Sequence, residues 1–282
     1  MATLKIPHPV PSAAEDAEHL RKAFHGWGTD EKAVISILAH RNADQRKEIM
    51  ATYEELYKEN LIKRLESETS GHFERAMYRW MFGPGEREAI FANVALKEKV
   101  DWVVIIELSC INSPNELLAI KKAYQMRYKL SMEEDVASHT SGDFRKLLLG
   151  LVSTYRYSGE EINASLASSE AKILHDAIKK KTFDHDEVIR ILSTRSKAQL
   201  NATFNRYKDE YNTSITKVLR NALNKSGTDE DSLTRVIVMR AEKDLLVIKE
   251  MYHKRSNESL DQAVAKETSG DYKKFLLALI GN

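Results

Sequence analysis

Two short motifs recur in this chain at one fixed displacement. Gly28-Thr29-Asp30-Glu31 returns as Gly227-Thr228-Asp229-Glu230, and Glu68-Thr69-Ser70-Gly71 returns as Glu267-Thr268-Ser269-Gly270, both 199 residues later. In each copy 38 residues separate the threonine from the downstream glutamate. A glycine turn and a distant carboxylate held in register twice mark a chain built from repeated structural units, whose apolar faces are buried by stacking on one another.

Other residues extend the repeat. Leu20, Arg41, Ile49, Tyr53, Leu61, Leu65, Gly71 and Phe73 mark the first copy. A shift of 71 gives Ile120, Tyr124, Met132, Val136, Gly142 and Phe144, and a shift of 199 gives Leu219, Arg240, Ile248, Tyr252, Leu260, Val264, Gly270 and Tyr272. A shift of 154 gives Leu174, Arg195, Tyr207 and Ile215, after which the match stops. Within a copy the apolar spacing is helical: Val34, Ile35 and Leu38, then Ile49, Tyr53, Leu56 and Tyr57, fall on one face of a 3.6-residue period. Thr29 or Asp30 is placed to cap a helix starting at Glu31, and Ser67 and Ser70-Gly71 divide the later part into two short helices. About five short helices per repeat follow, with no alternating strand pattern.

The third repeat is short. After Tyr207-Lys208-Asp209-Glu210-Tyr211 the sequence passes almost directly to Thr216-Lys217-Val218-Leu219. The helices that would carry its counterparts of Ser67 to Trp80 are missing. Deleting two packed helices exposes the apolar faces they covered, at about 1.5–3 kcal/mol per large side chain. The segment from about Ala198 to Asn224 is then expected to run on as one long or kinked helix.

Composition excludes several classes of protein. Lys and Arg number 43 against 42 Asp and Glu, so no global field favours nucleic acid. With 42% apolar residues in 282 the chain can bury a sizeable core. Cys110 is the single cysteine, which rules out an intramolecular disulfide and suits a reducing compartment. The N-terminus lacks the apolar stretch of a signal peptide, and no apolar run is long enough to be read as a transmembrane segment. Pro7-His8-Pro9-Val10-Pro11 reads as an extended arm.

The recurring motifs have the chemistry of a hard-cation site. Ca²⁺ takes about 6–8 oxygens, backbone carbonyls among them. In Phe24-His25-Gly26-Trp27-Gly28-Thr29 the carbonyls of Phe24, Gly26 and Gly28 can converge, because glycine tolerates positive φ, and Glu68 can close the set with two oxygens. That makes about five protein ligands and leaves one or two positions for water or an external phosphate oxygen. By displacement the fourth repeat offers Leu223, Lys225, Gly227 and Glu267, a weaker set because Lys225 replaces a glycine. A capped helix–helix loop with an ordinary surface acid explains one copy as well; two copies with matched spacing favour the ion. The remaining repeats act as an internal control. The second has His139 where Glu68 stands and Val100-Asp101 where Thr29-Asp30 stand; the third has Lys180-Lys181-Thr182-Phe183 in place of the glycine turn. Asp184-His185-Asp186-Glu187 has acids at EF-hand spacing but lacks that loop's later glycine and glutamate, Arg195 standing at the glutamate position.

The glycine-x-glycine-threonine turn, the 38-residue gap and the acid, together with His139-Thr140-Ser141-Gly142-Asp143-Phe144 and Arg145-Lys146-Leu147-Leu148-Leu149, resemble the annexins, and more narrowly the plant annexins, over essentially the whole chain. The resemblance implies an all-α fold, an annexin-like array of four helical repeats of about 70 residues, the third lacking its last two helices. The expected divisions are an arm over 1–11 and repeats over 12–82, 83–156, 157–215 and 216–282. It implies a cytoplasmic protein that binds Ca²⁺ and, when calcium rises, acidic phospholipid membranes, with Phe24, Gly26, Gly28 and Glu68 as one ligand set and Leu223, Lys225, Gly227 and Glu267 as another.

Several single residues carry weaker signals. Trp27, between two loop glycines, and Lys32 nearby are candidate membrane contacts, since tryptophan favours the membrane–water interface and lysine pairs with acidic headgroups. Trp80 and Trp102 read as core. His40 stands where a haem ligand has been suggested in plant members, but no haem pocket accompanies it. Cys110 matches one member of a proposed methionine–cysteine cluster whose second cysteine is Met239 here. Ile189-Arg190-Ile191 resembles a tripeptide proposed for actin binding and also fits an ordinary amphipathic helix. No phosphate-binding loop or nucleophile–base–acid set marks an enzyme; the alternatives to membrane binding are a peroxidase-like or nucleotide-hydrolysing enzyme and a helical-repeat interaction protein with impaired calcium sites.

Overall fold

The computed structural model describes residues 2–25, 28–97, 100–153, 156–180, 186–211 and 230–281. These residues form helices and connecting turns, with no strand among them, as the apolar spacing predicts. The first repeat supplies α1 (Ala13–Ala23), α2 (Glu31–Leu38), α3 (Ala43–Tyr57), α4 (Leu61–Glu68) and α5 (Gly71–Met81). The second supplies α6 (Pro84–Lys97), α7 (Trp102–Ile111), α8 (Pro114–Tyr128), α9 (Met132–Ser138) and α10 (Gly142–Val152). The third supplies α11 (Ala164–Lys180), α12 (Asp186–Thr194) and α13 (Lys197–Tyr211), and its last two helices are missing from the sequence. The fourth supplies α14 (Glu230–Arg240), α15 (Leu245–Ser256), α16 (Leu260–Glu267) and α17 (Gly270–Ile280). Helix α13 covers the first part of the long helix expected from Ala198 to Asn224; the rest of that segment lies outside the described residues.

Local chemistry sets the helix ends. Asp30, not Thr29, caps α2, accepting from the Ala33 amide at 3.0 Å. Ser12, Asn42, Ser113, Ser131 and Ser259 each close a reciprocal capping box with the residue three positions on. The break after α4 falls at Thr69-Ser70. Ser67 lies inside α4, where its hydroxyl donates back to the Arg64 carbonyl at 2.8 Å and leaves the helix intact.

The chain divides into two compact units. The first joins residues 1–87 to 227–282, and so pairs the first repeat with the fourth. Helix α5 packs on α14, and α17 packs on both α2 and α5. Phe73 meets Phe275 edge to face, with ring centroids 6.0 Å apart. Trp80, fully buried as expected, lies at the centre of a polar cluster. Its indole nitrogen donates to the Leu38 carbonyl at 2.8 Å, and the Arg46 and Arg87 guanidinium carbons stand 3.8 and 4.7 Å from its ring centroid. Glu242 answers both cations, at 3.3 Å from Arg46 and 3.0 Å from Arg87. The N-terminal arm is held on the fourth repeat: the Thr3 amide donates to the Ala241 carbonyl at 2.9 Å and its hydroxyl to the Leu279 carbonyl at 2.6 Å.

The second unit covers residues 88–226 and contains most of the second repeat and the whole of the third. Ala171, Leu174, Val188, Ile191 and Tyr207 form a buried cluster in the third repeat, with α11 against α13, and α10 packs on α12. The repeat is visible in its charges. Arg41 grips Asp16 through two hydrogen bonds of 2.7 and 2.8 Å, both side chains buried. At a displacement of 154, Arg195 bonds Glu170 at 2.7 Å, again with a buried carboxylate.

The missing helices leave the trace expected of them. In the first unit Phe73 of α5 is 7% exposed; its counterpart in the second unit, Phe144 of α10, is 42% exposed. Val103 and Ile111 on the strongly apolar α7 are also exposed. Trp102 corrects the sequence reading: it is only half buried, packed edge-on against Phe144 with centroids 5.5 Å apart. The deleted part of the third repeat would have continued the cover over this α7–α10 face.

Candidate functional site

The first candidate loop joins α1 to α2 and is closed at both ends by backbone bonds. Phe24 ends α1, its amide donating to the Leu20 carbonyl at 3.1 Å, and the Asp30 amide returns to the Ala23 carbonyl at 2.9 Å. Phe24 is buried and meets Tyr53 edge to face at 6.4 Å, which holds its side chain in place. Gly28 has φ +89°, a conformation that a side chain strains and that glycine adopts freely. Gly26 and Trp27 lie outside the described residues. Lys32 is exposed in the first turn of α2.

The carboxylate arrives from the other end of the repeat. Glu68 is the last residue of α4, and its Oε2 accepts from the Thr29 hydroxyl at 2.5 Å. The 38 residues between threonine and glutamate therefore close into direct contact. The turn after Glu68 is a fixed corner. Thr69 donates its hydroxyl to the Leu65 carbonyl at 2.7 Å, Ser70 is extended, and Gly71 has φ +66°. The second repeat keeps this corner with the Thr140 hydroxyl on the Val136 carbonyl at 2.7 Å, and the fourth keeps it with Thr268 on Val264 at 2.5 Å. In the second repeat, however, the His139 ring turns back to the Asp135 carbonyl, its Nδ1 at 2.8 Å. The corner is retained there and the acid is not.

The donor set fits a hard cation. The Phe24 carbonyl and Glu68 Oε1 both lie 2.8 Å from one positively charged nitrogen, Nη2 of Arg64. A neutral carbonyl and a carboxylate thus already converge on a single positive charge. Among the described residues, no three His, Cys, Asp or Glu side chains are grouped to hold a metal, so an ion here relies on backbone oxygens.

In the fourth repeat Leu223, Lys225 and Gly227 lie outside the described residues, while Glu267 ends α16 as Glu68 ends α4. Glu68 and Glu267 line one cleft of about 360 Å³ in the first unit, together with Glu31, Ser70, Ser269 and Asp271. The two acids separated by 199 residues therefore share a surface. Sequence reasoning did not single out Arg64; its signal was its place one helical turn before Glu68.

The secondary candidates resolve into local structure. His40 places its Nδ1 2.8 Å from the Lys5 carbonyl, which ties the arm to the first repeat. Cys110 is exposed in the second unit, and Met239 is buried in the first. Ile191 is fully buried, and Arg190 pairs with Glu187 at 2.7 Å, the arrangement of an amphipathic helix. Asp186 is exposed and bonds Lys146 at 3.3 Å.

Known proteins carry the same architecture. The sequence matches the Annexin family over residues 15–80, 94–151, 169–222 and 216–279. An annexin-like protein, RJ4, of Fragaria ananassa is 59% identical over 312 aligned positions, covering 100% of this chain and 99% of that protein. Annexin D7 of Arabidopsis thaliana is 51% identical over 314 positions, again covering 100% and 99%. Both alignments are longer than the 282 residues of this chain, as a shortened repeat requires. Among solved structures, annexin III superposes with a TM-score of 0.89 at 32% identity, covering 100% of this chain and 97% of that one. Calcium-bound annexin (Sm)1 superposes with a TM-score of 0.79 at 27% identity, covering 100% and 93%. Four helical repeats, the third of them shortened, and relatives of this closeness in plants place the chain in the annexin family, among its plant members.

Proposed function

We propose that this annexin binds acidic phospholipid membranes in a calcium-dependent manner through the loop closed by Glu68. The observation that carries this reading is the convergence of the Phe24 carbonyl and the Glu68 carboxylate on one positive charge, beside the left-handed Gly28. The carbonyls of Phe24, Gly26 and Gly28 with Glu68 are the residues that would hold Ca²⁺. When bound, the ion supplies open coordination positions for a phosphate oxygen of a lipid headgroup. Thr29 orients Glu68, and the buried Phe24 ring anchors the carbonyl at the other side of the set. Trp27 and Lys32 lie next to these ligands in sequence and are the candidate lipid contacts, lysine contributing about 1 kcal/mol near an acidic surface.

The fourth repeat would add a second, weaker site from Leu223, Lys225, Gly227 and Glu267. That Glu68 and Glu267 line the same cleft supports engagement of one membrane surface by both loops, and two weak sites on one body raise the effective concentration of each other's ligand. The protein would be cytoplasmic and peripheral on the membrane. Among the described residues no helix is long and apolar enough to cross a bilayer. Sedimentation with vesicles of phosphatidylserine and phosphatidylcholine tests the proposal: pelleting is expected with calcium, and little with chelator or with phosphatidylcholine alone. Equal pelleting in calcium and in chelator would overturn it.

A further inference from the structure

We propose that Arg64 is a tethered competitor for the first calcium loop and sets the calcium concentration at which that loop loads. This rests on the reading of Phe24 and Glu68 as calcium ligands. Arg64 Nη2 lies 2.8 Å from the Phe24 carbonyl oxygen and 2.8 Å from Glu68 Oε1. Calcium–oxygen distances are about 2.3–2.6 Å, so an ion bound by these two oxygens would take over acceptors that now hold the Arg64 nitrogen. Two like charges there also repel, and the guanidinium must withdraw for the oxygens to be shared with an ion.

The side chain is built to withdraw. Its Nε is buried and makes no hydrogen bond, so the inner end of the guanidinium is not pinned. Nη1 stands 3.7 Å from Glu59 Oε1, too far for a hydrogen bond and near enough for the carboxylate to receive the displaced cation. Glu59 is itself fixed by Arg21 and by the Tyr53 hydroxyl, the latter at 3.2 Å. Arg64 thus has a seat among the proposed ligands and a second carboxylate on its other side.

The other repeats have no arginine at the equivalent position. At a displacement of 71 the second repeat has Asp135, whose carboxylate accepts from Tyr124. At 199 the fourth repeat has Ala263, four residues before Glu267. The fourth-repeat acid therefore has no arginine one helical turn before it.

The test is a calcium titration of binding to phosphatidylserine–phosphatidylcholine vesicles by the full chain and by Arg64→Ala and Arg64→Met. Methionine keeps an unbranched stem and the helix propensity while removing the charge. Both substitutions are expected to lower the calcium midpoint roughly tenfold, the size of one lost charge-assisted hydrogen bond. General electrostatics predicts the opposite sign, because removing a cation near an acidic surface weakens attachment. In a Glu68→Gln background the shift should vanish. The calcium-induced rise in melting temperature without lipid should be larger in Arg64→Met than in the unsubstituted protein. A midpoint that stays put or rises in both variants, while the unsubstituted chain still pellets with calcium, overturns the competitor and leaves the proposed function standing. An unsubstituted chain that never responds to calcium overturns both.

Discussion

The Thr29 hydroxyl donates to Glu68 Oε2 at 2.5 Å. This contact spans the 38-residue interval between the two residues and brings the loop before α2 against the end of α4. The second repeat has Val100 in place of the threonine and His139 in place of the acid. Thr29→Val is therefore expected to cost about 1 kcal/mol of stability and to raise the calcium needed for vesicle binding, since Glu68 loses the group that aims it. Urea unfolding and a calcium titration on vesicles measure the two effects.

Gly28 gives a second prediction. Its φ of +89° is strained for any side chain, although a methyl group placed there would meet nothing within 4 Å. The expected effect of Gly28→Ala is conformational rather than steric, about 1–2 kcal/mol. Vesicle binding should weaken more than global stability falls, because the loop can relax away from its liganding conformation. Comparing the change in calcium midpoint with the change in melting temperature separates the two.

Glu242 links stability to pH. Burial pushes its carboxyl up, but Arg46 and Arg87 outweigh burial and hold it below the ordinary value of 4.5. Burial also lowers Arg46, to about 10, with the neighbouring Arg87 adding to the effect against Glu242. A carboxyl with a depressed folded value stabilises above the unfolded value and loses that contribution as pH falls through the folded one. The chain should therefore lose stability below about pH 4.5, and Glu242→Gln should flatten that part of the curve. At neutral pH the same substitution leaves two buried guanidinium groups without their carboxylate and should cost about 3 kcal/mol. Chemical unfolding of both proteins from pH 3.5 to 7 checks the sign and the size.

The shortened third repeat makes a comparative prediction. Phe73→Ala, which empties a buried site between α5 and α17, should cost about 3–5 kcal/mol. Phe144→Ala at the equivalent place in the second unit should cost about 1 kcal/mol or less, because that ring is already 42% exposed. Equal losses would mean that the α7–α10 face is as well covered as its counterpart.

Much of this was legible in the sequence, for identifiable reasons. Periodicity located the helices because Val34, Ile35 and Leu38 must share a buried face. The 71-, 154- and 199-residue displacements hold in three dimensions: Arg41–Asp16 and Arg195–Glu170 form equivalent pairs on a buried carboxylate, and Gly71, Gly142 and Gly270 share one left-handed corner. The exposure of Phe144 follows from the missing helices. Trp102 was misread because it is the first residue of α7 and packs edge-on against the exposed Phe144 rather than in the interior. Arg64 escaped notice because its importance depends on the Phe24 carbonyl, 40 positions away, and on which way one nitrogen points. No spacing rule reports the direction of a carbonyl. The common cleft of Glu68 and Glu267 escaped for a similar reason, since displacement shows that a motif is repeated and says nothing of the surface it faces.

The central claim is that Glu68 closes a calcium loop that attaches the protein to acidic lipid. Calcium titration of binding to phosphatidylserine–phosphatidylcholine vesicles, comparing the unsubstituted chain with Glu68→Gln and Glu267→Gln, tests it most directly. Glu68→Gln is expected to shift the midpoint to at least about tenfold higher calcium, with a smaller shift for Glu267→Gln, and to lower the melting temperature in chelator only slightly, through the lost Arg64 ion pair. A Glu68→Gln protein that binds vesicles at the same calcium concentration as the unsubstituted chain would contradict it.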